Sequence, residues 1–239
     1  PAHDRSSVPS SSCRKRNVLQ PLLSGMKSVM PASLAVVTPG PKIIRDLMGL
    51  PASLGRVGPL EVRLATTKKD IRKAQKLRWR VFFQNRVAEP ETLSKLQRRD
   101  ICPFDRLCDH LLVIDHAARN RFGVLKPRVV GAYRLLRQDV AQAQGGFYSA
   151  GEFDVASLLN RHAGKRFLEL GRSCVLPDYR GKKVLELLWR GIWTYVRHHR
   201  IDAMFGCASL EGADTSQHEL ALSFLRHCTP EDTAWRVAA

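Results

Sequence analysis

The stretch from Phe167 to Ser209 constrains the fold of this chain more than any other. Phe167–Val175 (FLELGRSCV) is a strand-like run, Pro177–Lys182 reads as a turn, and Lys183–His199 puts Val184, Leu188, Ile192 and Tyr195 on one helical face. Ala203–Ser209 is strand-like again. Two strands joined through a helix are a crossover and lie parallel, whereas the upstream segments predict antiparallel pairing. Leu60–Ala65 (LEVRLA) alternates as a strand, and Lys68–Phe83 carries Ile71, Ala74, Leu77, Val81 and Phe82 at helical spacing. His110–Asp115 and Val129–Leu136 read as a hairpin whose basic loop contains Gly123 and Pro127. Asp154–Arg161 reads as a short helix with Asp154 as its cap. The sum is an α/β chain in which an antiparallel meander leads into one parallel unit.

The chain has 239 residues, 44% of them hydrophobic, which suits one core plus an extension. Residues 1–58 are rich in Ser, Pro and Gly and are expected to form a flexible basic extension to a domain spanning 59–239. Within the extension, Lys42–Leu50 (KIIRDLMGL) can form an amphipathic turn of helix that rests on a membrane or on the domain, or pack locally as a linker. No apolar run approaches the roughly 18 residues of a membrane span. The first residues lack a signal-peptide pattern. The six cysteines are scattered without a C-x-x-C pair, which excludes a zinc ribbon or redox pair and is read as reduced thiols in the cytoplasm. Cys174 and Cys207 are expected to be small core residues.

A net charge of +17, spread over the extension and the domain alike, calls for an acidic partner: nucleic acid, anionic lipid or an acidic protein. No nucleic-acid-binding module accompanies it, so no nucleic acid is expected. The histidines show no metal-ligand pattern, and no metal is expected.

Several polar residues stand where apolar ones are due. Arg78 falls on the buried stripe of its helix, so it needs a buried carboxylate such as Asp105 or Asp109, and a paired arginine can also shape a site. Asp105 and Asp109, with Phe104 and Cys108, precede a strand, where they can hold an ammonium or simply be solvated. Arg134 lies within an apolar strand and faces either solvent or an anion. Strict alternation sends Glu169 and Arg172 to opposite faces, but a bulge at Gly171 brings both to one face and frees backbone groups. A freed amide can bind a thioester carbonyl as its oxygen gains charge, and a carboxylate beside it can take a proton from an attacking amine; a plain ion pair fits the same two residues. Arg180, Gly181, Lys182 and Lys183 put backbone N–H groups, a helix N-terminus and positive side chains together, as a phosphate cradle or as a solvated basic turn.

In order, LRWRVFF, FDRLCDHLLVID, VVGAYRLLR, GGFYSAGEFD, LELGRSCVLPDYRG, LLWRGI and MFGCAS cover about residues 60–228. Together they resemble the ornithine N-acyltransferase family of ornithine-lipid synthesis, itself similar to the acyl-homoserine-lactone synthases of the GNAT superfamily. The resemblance implies a GNAT fold with a mixed sheet, acyl carrier protein as donor, and an amine attacking the thioester directly. Its donor is a 3-hydroxyacyl chain on phosphopantetheine, with no separate cofactor, and its product is an N-acyl ornithine. By similarity to the lactone synthases, the Arg-x-x-x-Phe pair falls on Arg78 and Phe82, the acidic site residues on Asp105 and Asp109, the hairpin arginine on Arg134, and the Glu-x-x-Arg pair on Glu169 and Arg172. Ala88 stands where the lactone synthases place tryptophan, which favours the ornithine branch. Members of the ornithine family continue with further sheet strands past the point this sequence reaches at Ala239, so the fold is expected without its last strands. The acidic carrier supplies a partner for the basic charge, with Lys182 and Lys183 steering it. A cytoplasmic protein with peripheral contact on the inner face of the membrane is the resulting expectation.

Overall fold

In a computed structural model, residues 47, 49–83, 96–210, 214–228 and 232–238 are described. Most of the Lys42–Leu50 turn, and Ala88, lie outside the described residues. A six-stranded sheet runs β1 (Gly55–Val57), β2 (Leu60–Leu64), β3 (Asp109–Asp115), β4 (Arg128–Arg137), β5 (Phe167–Val175) and β6 (Ala203–Phe205), in that spatial order. Neighbours are antiparallel except β5 and β6, which pair parallel through the helix between them. The helices are α1 (Lys68–Phe82), α2 (Gln138–Ala143), α3 (Val155–Arg161), α4 (Lys182–His198) and α5 (Glu219–Cys228).

Local chemistry sets the ends of these elements. Thr67 caps α1 by accepting from the Asp70 N–H, and Asp70 then receives both terminal nitrogens of Arg63 at 3.1 Å, placing negative charge on the positive end of the helix. Asp154 caps α3 by accepting from the Ser157 N–H. The Leu111–Ile114 run of β3 is buried throughout, as a strand covered on both faces must be. On one face α4 packs so closely at Gly191 that an added Cβ would stand 2.8 Å from Val62 and 2.9 Å from Leu111. Val184, Leu188, Ile192 and Tyr195 are all buried beneath it. Ala74, Leu77 and Val81 of α1 complete the core, with Ile71 and Phe82 half-buried at its margin.

Three expectations need correction. The folded part begins before residue 59: β1 pairs with β2 across a tight turn in which Gly58 has φ 58°, and Leu50 and Leu54 enter the core. Three residues flanked by glycine are too few to show alternation, which hid this strand. The last strand is also shorter than Ala203–Ser209, because pairing with β5 stops at Glu169, just before β5 bends. Cys207 therefore lies beyond the sheet and is exposed, whereas Cys174 is buried as expected, and burial pushes its thiol up to about 12. A branched side chain at the α4 crossing has no room. Gly191→Val should lower stability by about 1–3 kcal/mol, read as a lower urea midpoint at unchanged slope.

Candidate active site

Arg78 is 1% exposed, projecting from α1 beneath the sheet. Its Nε donates to Asp100 Oδ2 at 2.7 Å, and its Nη2 donates to the Asp100 carbonyl at 2.7 Å and to both Asp105 oxygens at 2.7 and 2.8 Å. Asp105 also accepts from Gln75 Nε2 at 2.9 Å and from the Cys102 N–H at 3.2 Å. Burial alone would raise the Asp105 carboxyl, but the charge of Arg78, with His110, Gln75 and Arg134, holds it below the usual carboxylate range. The buried partner anticipated for Arg78 is thus Asp105, joined by Asp100, which the sequence hides in a charged run that reads as solvated.

The pair reaches the sheet through two more arginines. Arg134 Nη1 lies 3.6 Å from Asp105 Oδ1, and Arg172 Nη1 lies 3.7 Å from Asp100 Oδ2. Arg134 and Arg172 both stand over the ring of Tyr148, at 5.1 and 5.7 Å from its centroid. Arg134 also lies 5.8 Å from the centroid of Phe104, and Arg172 lies 6.0 Å from that of Phe82. Arg134 is 3% exposed, and its Nη1 has no hydrogen-bond partner among the described residues.

A bulge brings Arg172 to this face. The β4–β5 register jumps from Ala132↔Cys174 to Arg134↔Gly171, so Arg172 and Ser173 together oppose Tyr133. The left-handed residue is Arg172, at φ 51°, and not the glycine beside it. A non-glycine residue there costs about 1–2 kcal/mol, so the surroundings must hold it. Glu169, three residues earlier, lies on the same face. Its oxygens accept from the Tyr148 N–H at 2.9 Å, the Ser149 N–H at 2.7 Å and the Ser149 hydroxyl, and Ser149 Oγ in turn accepts from the Cys207 thiol at 3.1 Å. Tyr148 and Ser149 belong to the GGFYSAGEFD run, but nothing in their local pattern marks them as site residues.

Asp109 does not join this group. On β3 it points to the other face of the sheet, where it accepts from Tyr195 Oη at 2.6 Å and faces Arg137 at 3.5 Å. Alternation is the reason: consecutive strand positions separate, and Asp109 sits one residue before His110, which bonds back to the Asp105 carbonyl at 2.9 Å. In that second network, burial and the charges of Arg137 and His198 depress His199 to about 4. The Arg180–Lys183 turn lies apart from the carboxylate cluster at the start of α4. Gly181 is the N-cap and supplies no side-chain bond, Lys182 reaches Glu186 at 3.6 Å, and Arg180, Lys182 and Lys183 are exposed. Among the described residues no group of three or more His, Cys, Asp or Glu could hold a metal ion.

The cluster thus offers three guanidiniums and three carboxylates, with two of the guanidiniums over one aromatic ring, a balance suited to a zwitterion. The family model of the acetyltransferase (GNAT) domain matches residues 77–190, which contain every site residue named above except Gln75 and Cys207. The L-ornithine N(alpha)-acyltransferase of Rhizobium meliloti (strain 1021) is 49% identical over 87% of this chain and 70% of its own length. The protein of the same name from Agrobacterium fabrum (strain C58 / ATCC 33970) is 48% identical over 85% of this chain and 68% of its own length. Among solved structures, the AHL synthase LasI is similar with a TM-score of 0.41 at 17% identity, covering 62% of this chain and 71% of that one. FeeM, an N-acyl amino acid synthase from uncultured soil microbes, has a TM-score of 0.44 at 14% identity, covering 70% and 77%.

Because the folded-state Asp105 titrates below its unfolded value of about 3.9, its contribution is complete above about pH 4 and is lost as pH falls through the folded-state value. Asp105→Asn should cost about 3–5 kcal/mol near neutral pH by leaving Arg78 under-compensated. The variant should also lose part of the acid dependence of stability, measured by urea titrations at several pH values. Equal acid slopes in parent and variant would remove Asp105 from this account.

Proposed function

The chain belongs to the L-ornithine N(alpha)-acyltransferase family, and on that premise we propose that it acylates the α-amine of ornithine with a 3-hydroxyacyl group carried by acyl carrier protein, the first step of ornithine-lipid synthesis. The observation that carries the substrate side is Arg134, a buried guanidinium whose Nη1 faces Asp105 only at 3.6 Å and has no hydrogen-bond partner among the described residues. A buried donor without an acceptor is costly, and the α-carboxylate of an amino acid supplies one with matching charge. Arg78, Asp100 and Asp105 are already engaged with one another, and their part is to hold Arg134 and Arg172 in place. Phe82 stacks beneath Arg172 in the same framework.

In the proposed reaction the α-ammonium of ornithine gives a proton to Glu169, and the freed amine attacks the thioester carbon. In this scheme the carbonyl oxygen gains negative charge, which the backbone at the Arg172–Ser173 bulge and the Arg172 guanidinium compensate. Collapse forms the amide, breaks the C–S bond and releases the pantetheine thiolate, which takes the second proton lost by the attacking nitrogen. The thioester carries its own activation, so the scheme uses no further cofactor and no metal. The three donors on Glu169 favour a second role, because they stabilise its charge and anchor Tyr148 beneath the two arginines. Glu169→Gln should lower kcat by roughly 10²–10⁴ and abolish the acidic limb of the pH–rate profile if Glu169 is the base. An anchor would instead raise the KM for ornithine and leave that limb in place.

On the donor side, Arg180, Gly181, Lys182 and Lys183 are proposed to meet the pantetheine phosphate at the uncapped N-terminus of α4 and to attract the acidic carrier. The KM for acyl carrier protein should rise with ionic strength, and K182E/K183E should flatten that response; a KM indifferent to salt would remove the steering role. No helix among the described residues is long and apolar enough to cross a membrane. We propose a cytoplasmic enzyme, peripheral on the inner face of the membrane that receives its product. Mass spectrometry of the lipid-soluble products, after incubation with 3-hydroxyacyl carrier protein and mixed amino acids, tests the whole assignment. A product on another amino acid, or none, would overturn it.

A further inference from the structure

The loop between β3 and β4 is the most sharply amphipathic exposed segment of the hairpin. Phe122 is 73% exposed, Val124 59% and Leu125 57%. Around these three apolar side chains stand Arg119, Arg121, Lys126 and Arg128, all exposed, and no Asp or Glu occurs between His116 and Gln138. Exposed apolar residues in water are unremarkable singly, but three within four positions on a basic tip call for an occupant.

The tip is preformed. Asn120 Oδ1 accepts from the Phe122 and Val124 N–H groups at 2.9 and 3.1 Å, and the Asn120 N–H donates to the Val124 carbonyl at 2.9 Å. Gly123, at φ 75°, makes the turn, and its carbonyl accepts from Arg119 Nη1 at 2.6 Å. The Lys126 N–H donates to the Ala118 carbonyl at 2.7 Å, and the Arg121 guanidinium covers the Phe122 ring at 4.6 Å. Presenting the apolar side chains therefore requires no further ordering of the backbone. Behind the tip lies a cleft of about 700 Å³ lined by Arg80, Arg119, Lys126 and Arg128, with Asp178 as its one carboxylate among the described residues. None of the residues of the carboxylate–arginine cluster lines it.

We propose that residues 119–128 are a membrane-anchoring tip. Phe122, Val124 and Leu125 enter the interface of an anionic bilayer, while Arg119, Arg121, Lys126, Arg128 and Arg80 face its headgroup phosphates. This rests on the peripheral location proposed above and names the surface that produces it. An acidic protein would engage the cations but would leave an apolar apex unused, whereas a lipid interface takes both at once. One anchor at the end of a hairpin also fixes the orientation of the sheet relative to the bilayer that accepts the acylated product.

The test is flotation of the full chain with vesicles of phosphatidylcholine alone or mixed with phosphatidylglycerol. The parent should bind the mixed vesicles, more weakly as salt rises. F122S/V124S/L125S should bind them at least about tenfold more weakly, and R121E/K126E about tenfold more weakly with less salt dependence. Thermal midpoints should not move, since every substituted side chain is exposed. If the parent binds neither vesicle, the tip and the peripheral location both fall. Binding by the parent that the apolar variant retains in full overturns the tip alone and leaves the peripheral location to another surface. Retained vesicle binding with a raised KM for acyl carrier protein would reassign the loop to the carrier and overturn the proposal.

Discussion

The site depends on one buried charge. Arg78 cannot be removed from water without compensation, and two carboxylates together with a backbone carbonyl supply it. The consequences are geometric. Asp100 and Asp105 precede β3, so satisfying Arg78 holds residues 100–105 against the helix. The remaining faces of the same carboxylates then lie near Arg134 and Arg172, on neighbouring strands. One helical residue placed on the wrong side of its amphipathic pattern thereby orients two arginines it does not touch.

The second constraint is the irregularity of β5. The strand departs from regular pairing at Arg172 and Ser173, opposite Tyr133, and its pairing with β6 ends two residues earlier in the chain than the glycine that precedes Arg172. The extra residue turns the Arg172 side chain onto the face that carries Glu169, which a regular strand would forbid. The left-handed backbone at Arg172 is held by what its side chain reaches: Asp100, the Phe82 ring and the Tyr148 ring. Local strain is here tied to the framework that Arg78 organises.

Much of this was legible because the main elements have strong periodicity. The β5–α4–β6 crossover, the β3–β4 hairpin, α1 and the Asp154 cap follow from spacing alone, and so does the inward Arg78. The bulge was legible as a condition for Glu169 and Arg172 to share a face, although the residue that adopts the unusual backbone is the arginine. What was hidden depends on contacts distant in sequence. Asp100 sits among basic residues and resembles a solvated charge until Arg78 folds over it. Tyr148 and Ser149 lie in an irregular segment whose conformation is fixed by a carboxylate about twenty positions later. Asp109 was misplaced because the pattern shows that two carboxylates are near one another in sequence but does not show which strand position begins the alternation. The short β1 carries too few residues to have a pattern.

Tyr148 gives the arrangement a property that no single contact has. One ring serves two guanidiniums, and its backbone is tied to the carboxylate between them in the reaction scheme. An anion that draws either guanidinium away from the ring changes the environment of the other. Anion binding at one guanidinium is thus coupled through the ring to anion binding at the other, and linkage of binding is reciprocal. In the proposed reaction, with the amino acid at Arg134 and the thioester at Arg172, each ligand would then alter the affinity of the other by the same factor, whichever loads first.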